Sequence, residues 1–137
     1  MTMGRSILPQ IMMIENNPAD VLLTKLAMKS SGIEADFIVF ETIEDGLDHL
    51  EDAPLPKLVL LDLNLFGEGG ITFLKLIRQN PRFDKLKVSV LTTSASDKDR
   101  ETCLSLGATY FIVKSMMFED FIKSLDVLKP IFSLQTA

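Results

Sequence analysis

The chain predicts an α/β fold, a doubly wound parallel sheet with helices on both faces. Two observations carry this reading. Short apolar runs recur at Ile11–Ile14, Leu58–Leu61, Val88–Leu91 and Tyr110–Val113, and continuous runs of this length read as parallel strands buried on both faces. Between them, apolar residues return at helical spacing, and right-handed crossovers then place helices on both sides of the sheet. Each of the four runs also stops at a polar residue of different chemistry: Glu15-Asn16, Asp62, Thr92 and Lys114. In open α/β sheets ligands bind outside the carboxyl ends of the strands, so carboxylates, a hydroxyl and an ammonium meeting there form a candidate site. The chemistry they suggest is phosphoryl transfer.

The elements follow in order. Gln10 to Glu15 reads as the first strand, and Asn17 before Pro18 starts a helix, with Asn capping free amides and Pro at the first helical position. Leu22, Leu23, Leu26 and Ala27 are its expected apolar face, and Gly32 its stop. Asp36 to Glu41 is the second strand, followed by a short helix over Ile43 to Asp52 that ends before Pro54 and Pro56. The third strand carries Asp62. Phe66 to Gly70 reads as a loop, and Phe73, Leu74 and Ile77 mark a helix ending near Asn80-Pro81. Lys87 to Thr92 is the fourth strand. Ser96 with Asp99 resembles a capping box for a helix carrying Leu104 and Leu106, stopped by Gly107. The fifth strand ends at Lys114, and Phe118, Phe121, Ile122, Leu125 and Leu128 recur at helical spacing until Pro130 ends or kinks the helix.

The 137 residues are one domain's worth, expected as a single unit over 1–137 with a core of about 8–129 and a short tail after Pro130. A hydrophobic fraction of 47% with 24% charged residues is that of a soluble globular protein, and no apolar stretch is long enough for a membrane span. The net charge of −5 argues against a nucleic-acid surface, which needs clustered Lys and Arg. Met1 to Ser6 leads into Pro9 and Gln10 and fails as a signal peptide, so the cytoplasm is the expected compartment. Cys103 stands alone and reads as a helix packing residue. His49 reads as a solvated helix residue, and Met116-Met117-Phe118 as core or helix entry.

With these elements in place, the chain resembles the receiver domains of two-component response regulators over nearly its whole length. The matching segments are Ile14-Glu15-Asn16-Asn17-Pro18, Leu61-Asp62-Leu63-Asn64, Leu91-Thr92-Thr93-Ser94 and Gly107 to Lys114. Local details are similar to the small single-domain receivers that partner phytochrome-type histidine kinases. The resemblance implies a flavodoxin-like (βα)5 fold with strand order 2-1-3-4-5. It also implies that Asp62 accepts a phosphoryl group from a sensor histidine kinase as an acyl phosphate. Glu15 and Asn16 match the family's acidic pair, which with Asp62 and the backbone carbonyl of Asn64 holds Mg²⁺. Lys114 would pair with phosphate oxygens and the Thr92 hydroxyl would donate to one of them. The approach of Thr92 would be coupled to rotation of Phe111, the aromatic of the last strand. The helix 4, strand 5 and helix 5 face is the implied signalling or homodimer surface. Such a protein is a switch and no enzyme beyond its own phosphorylation and dephosphorylation.

Three positions depart from the family pattern. Asn16 stands where the second acid usually is, removing a negative charge and predicting a weak Mg²⁺ site. Ser115 follows Lys114 where the family usually has a proline after a cis bond; a non-proline cis bond costs about 2.5–4 kcal/mol, which favours a trans bond and a differently shaped loop. Phe66 replaces a frequent Pro. Taken singly, Glu15 also reads as a solvated strand end, Asn16 as an Asx turn, Thr92 as a β-former and Lys114 as a surface charge. Asn16 and Ser115 leave open an alternative, a pseudo-receiver that binds proteins independently of phosphate.

Overall fold

The computed structural model describes residues 8–63, 68–94 and 96–132. Five parallel strands run β1 (Gln10–Ile14), β2 (Asp36–Phe40), β3 (Leu58–Asp62), β4 (Val88–Thr92) and β5 (Tyr110–Val113). Their spatial order is β2-β1-β3-β4-β5, as expected. The register sets Asp62 beside Leu91 and Thr92 beside Val113, which aligns the carboxyl ends of three strands.

Side chains alternate faces along a strand, so each strand feeds two cores. One face carries Met12, Ile14, Val59, Leu61, Val88, Val90 and Phe111 beneath α2 (Ile43–Asp52), α3 (Glu68–Gln79) and α4 (Asp97–Ser105). The other carries Ile11, Met13, Leu58, Leu60, Leu91 and Ile112 beneath α1 (Pro18–Ser30) and α5 (Phe118–Ser124). After α5 the chain narrows to a 3-10 turn over Leu125–Leu128 and continues as the short α6 (Lys129–Phe132), so Pro130 lies inside a last helical turn.

The local signals act as read. Asn17 Oδ1 accepts from the Ala19 and Asp20 amides at 2.9 and 3.3 Å, capping α1, and Thr42 caps α2 through the Asp45 amide. Gly32 and Gly107 take φ of 91° and 105°, the left-handed conformation that ends helices at glycine. Arg78 ties α3 to three carbonyls, those of Phe83, Leu86 and Gly107, and Arg82 closes the end of α2 on the carbonyls of Leu50, Glu51 and Ala53.

Four expectations need correction. The buried face of α1 is Thr24, Ala27 and Met28, while Leu22, Leu23 and Leu26 are 59%, 44% and 48% exposed. Apolar residues occur nearly all round this helix, so periodicity alone does not select the stripe. The small Thr24 and Ala27 let α1 approach its neighbours closely. Glu68, Gly69 and Gly70 belong to α3 and not to a loop; Gly70 is buried, so packing outweighs the weak helix propensity of glycine. His49 is no freely solvated residue, since its ring lies 5.0 Å from that of Phe40 and its Nε2 is buried. Met116 and Met117 are solvent-facing instead of core, although Phe118 does open α5.

Candidate functional site

Glu15, Asp62 and Lys114 converge at the carboxyl edge of the sheet. Asp62 has the strand parity of Leu58 and Leu60, which face α1 and α5, and the other two side chains join it there. The Lys114 Nζ donates to Asp62 Oδ2 at 2.6 Å and lies 3.8 Å from both Glu15 Oε1 and Asp20 Oδ2. Asp62 and Glu15 are only 2% and 3% exposed, so this ammonium is the direct counter-ion of the Asp62 carboxylate, with a second carboxyl taken out of water beside it. Lys114 is itself anchored by its backbone amide, which donates to the Thr92 carbonyl at 2.7 Å.

Burial pushes the Glu15 carboxyl up to about 8, helped by its hydrogen bond with Asp62 and opposed by the Asn17 amide. That amide donates to Glu15 Oε2 at 3.0 Å, fixing the turn from β1 into α1. Asn16 is exposed, on the rim of an open cleft between α1 and β2 that Glu15, Val21, Lys25 and Val39 also line.

Thr92 lies on the opposite parity, with Val88 and Val90, and borders a cleft of about 360 Å³ lined also by Leu63, Ile71, Asp99 and Cys103. Its hydroxyl oxygen accepts from the Ser94 amide at 3.0 Å. Ser94 in turn donates to Asp99 Oδ2 at 3.0 Å, and Ser96 Oγ accepts from the Asp99 amide at 3.3 Å. Only the Ser96 half of the expected capping box is therefore formed; the Asp99 carboxylate is turned toward Ser94. Phe111 is 7% exposed in the core beneath α4, with the Arg100 guanidinium 5.9 Å from its ring centre. Asn64 and Phe66 lie outside the described residues.

The loop after Lys114 has no cis bond, as every peptide among the described residues is trans. Ser115 Oγ accepts from the Met117 amide at 3.0 Å, so the serine shapes its own turn into α5. Lys114 is nonetheless well held.

The donor set fits a hard divalent cation. Glu15, Asp20 and Asp62 each place a carboxylate oxygen within 4.8 Å of the others. Opposite ligands of an octahedral magnesium stand about 4.2 Å apart, at twice its bond length of roughly 2.1 Å, so a small inward movement or a retained water brings three oxygens with this spacing onto one ion. Asp20 was not singled out by the sequence reading. Its signal was present in an acid placed three residues after the Asn17 cap, a spacing that ordinarily reads as helix capping.

The family model for the response regulator receiver domain matches residues 11–126. The chain belongs to that family. The receiver is 33% identical over 122 residues to the response regulator Rcp1 of Synechocystis sp., covering 82% of this chain and 81% of that protein. Among solved structures it is similar to the Mn²⁺-bound form of Rcp1, at 30% identity and a TM-score of 0.76 over 94% of this chain and 96% of that one. It is also similar to the phosphorylated cyanobacterial phytochrome response regulator RcpA, at 26% identity and a TM-score of 0.78 over 95% and 96%. Receiver domains of this kind are signalling proteins of two-component systems and not classical enzymes. Among the described residues, no helix of the receiver is long and apolar enough to cross a membrane.

Proposed function

We propose that this receiver is a cytoplasmic phosphorylation switch in which Asp62 takes a phosphoryl group from a sensor histidine kinase. The observation that carries this reading is the Asp62 carboxylate, 2% exposed and held by Lys114 at 2.6 Å where the carboxyl ends of the strands meet. An Asp62 oxygen attacks the phosphorus of a phosphohistidine; the new P–O bond forms as the P–N bond breaks, and the neutral imidazole returns to the kinase. Lys114 moves from the carboxylate to a phosphate oxygen. The Thr92 hydroxyl uses its oxygen toward Ser94 and so keeps its hydrogen for the phosphate.

Glu15, Asp62 and the backbone carbonyl of Asn64, with the Asn16 amide oxygen, would hold Mg²⁺, which when bound supplies positive charge between the carboxylates and the phosphate. Thr92, drawn toward the phosphate, opens space into which Phe111 can turn, and switching rests on packing because Phe111 has no phenolic hydroxyl. The α4–β5–α5 face, where Arg100, Leu104, Tyr110 and Val127 border a shallow cleft, is the surface through which we infer that phosphorylated copies pair and signal.

The donor must bring its histidine to Asp62. Exposed Leu23 and Met116 line the same cleft as Lys114, and Leu22 and Leu26 of α1 and Met117 before α5 are exposed as well. This surface suits the kinase's helical phosphodonor segment. The test is phosphotransfer from the radiolabelled sensor kinases of the same organism. Label should pass to the wild type from at least one kinase and not to Asp62→Asn. A folded wild type that accepts label from none of them would overturn kinase partnership and favour a phosphate-independent interaction module.

A further inference from the structure

The missing acid at Asn16 leaves the divalent-cation site with two carboxylates from the strand ends, Glu15 and Asp62. We propose that Asp20 supplies the third, so that this receiver has moved a metal-site charge from the β1 end into the first turn of α1. The inference rests on the reading of this edge as a receiver's cation site.

Two features of the structure carry it. The first is the position of the Asp20 carboxylate. It lies 3.8 Å from Lys114 Nζ, and its oxygen falls within 4.8 Å of both Glu15 and Asp62 oxygens. The second is the absence of its usual task. An acid at the third residue of a helix ordinarily reaches back to the amide of the capping residue. Here the Asn17 amide donates to Glu15 Oε2 at 3.0 Å instead, and Asp20 turns toward Lys114. With Glu15 ionised, three carboxylates against one ammonium leave two negative charges, the number a divalent cation neutralises.

Asp20 is 38% exposed, so water reaches it. It therefore acts on the cation directly or through one of the waters that magnesium retains, and its charge counts in either case. Asn16 is left as a neutral oxygen donor on the rim.

The test is Mn²⁺ binding followed by electron paramagnetic resonance, in wild type, Asp20→Asn, Asn16→Asp and the double variant. Asp20→Asn should weaken Mn²⁺ by about ten- to thirty-fold. Adding Asn16→Asp to Asp20→Asn should restore most of the loss, whereas Asn16→Asp alone should gain clearly less than it does in the Asp20→Asn background. Thermal unfolding in chelator separates a helix role from a metal role. A lower midpoint for Asp20→Asn with Mn²⁺ affinity within about twofold of wild type overturns the proposal. So does an equal gain from Asn16→Asp in both backgrounds. If the wild type binds Mn²⁺ no better than Asp62→Asn does, the cation site itself is misread, and both readings fall.

Discussion

On the α1 side of the sheet's carboxyl edge, Glu15, Asp62 and Lys114 are joined by ion pairs, whereas on the α4 side Thr92 and Phe111 are held by hydroxyl–amide bonds and apolar packing. The alternation of side chains along β3, β4 and β5 makes this division: Leu91 and Ile112 face one core, and Phe111 the other. A receiver needs both properties at one edge, charge that responds to a phosphate and packing that has discrete arrangements. Placing them on opposite faces lets the charges rearrange without loosening the core. Thr92, at the end of β4, is the group through which one side can move the other. Each side should therefore be breakable alone.

The largest expected effect is on the packed side. Phe111→Ala removes a nearly buried ring from the core beneath α4 and should lower stability by about 3 kcal/mol in denaturant titration. Mn²⁺ affinity should stay within about twofold, since the ring belongs to the other face. On the charged side, Lys114→Met leaves the carboxylates facing one another and should lower stability by about 2 kcal/mol in chelator. Magnesium should recover most of it, a rescue that Phe111→Ala should not show.

Glu15 gives a pH signature confined to the charged side. Its carboxyl, raised from 4.5 to about 8, contributes stability that is fully present below pH 4.5 and lost as pH rises through about 8. Metal-free protein should weaken across that window, and Glu15→Gln should flatten the profile. Cation binding at pH 7 should also release a proton, measurable by calorimetry in buffers of different ionisation enthalpy. The smallest effect is expected from Arg100→Ala, about 0.5 kcal/mol, because its contact with the Phe111 ring is partly solvated.

The strands were legible because parallel strands buried on both faces are nearly continuous apolar runs, Ser89 in β4 being a buried exception, and their ends named Glu15, Asp62, Thr92 and Lys114. Asn17, Gly32 and Gly107 were legible because caps and left-handed turns admit few residue types. The buried stripe of α1 was not, since a helix apolar nearly all round leaves the choice to tertiary approach. Asp99 was read as half of a capping box and Asp20 was passed over, and only the three-dimensional arrangement shows that Glu15 has taken the amide Asp20 would have capped and that Asp99 turns to Ser94. Ser115 was expected to favour a trans bond and a differently shaped loop, and the bond is trans. The ion pair to Asp62 and the backbone bond to Thr92 hold the lysine without help from the following residue.

Intact mass after incubation with Mg²⁺ and acetyl phosphate tests the central assignment most directly. The wild type should gain the mass of one phosphoryl group, and the gain should vanish in chelator and in folded Asp62→Asn. Equal labelling of wild type and Asp62→Asn would contradict the assignment of Asp62 as the acceptor.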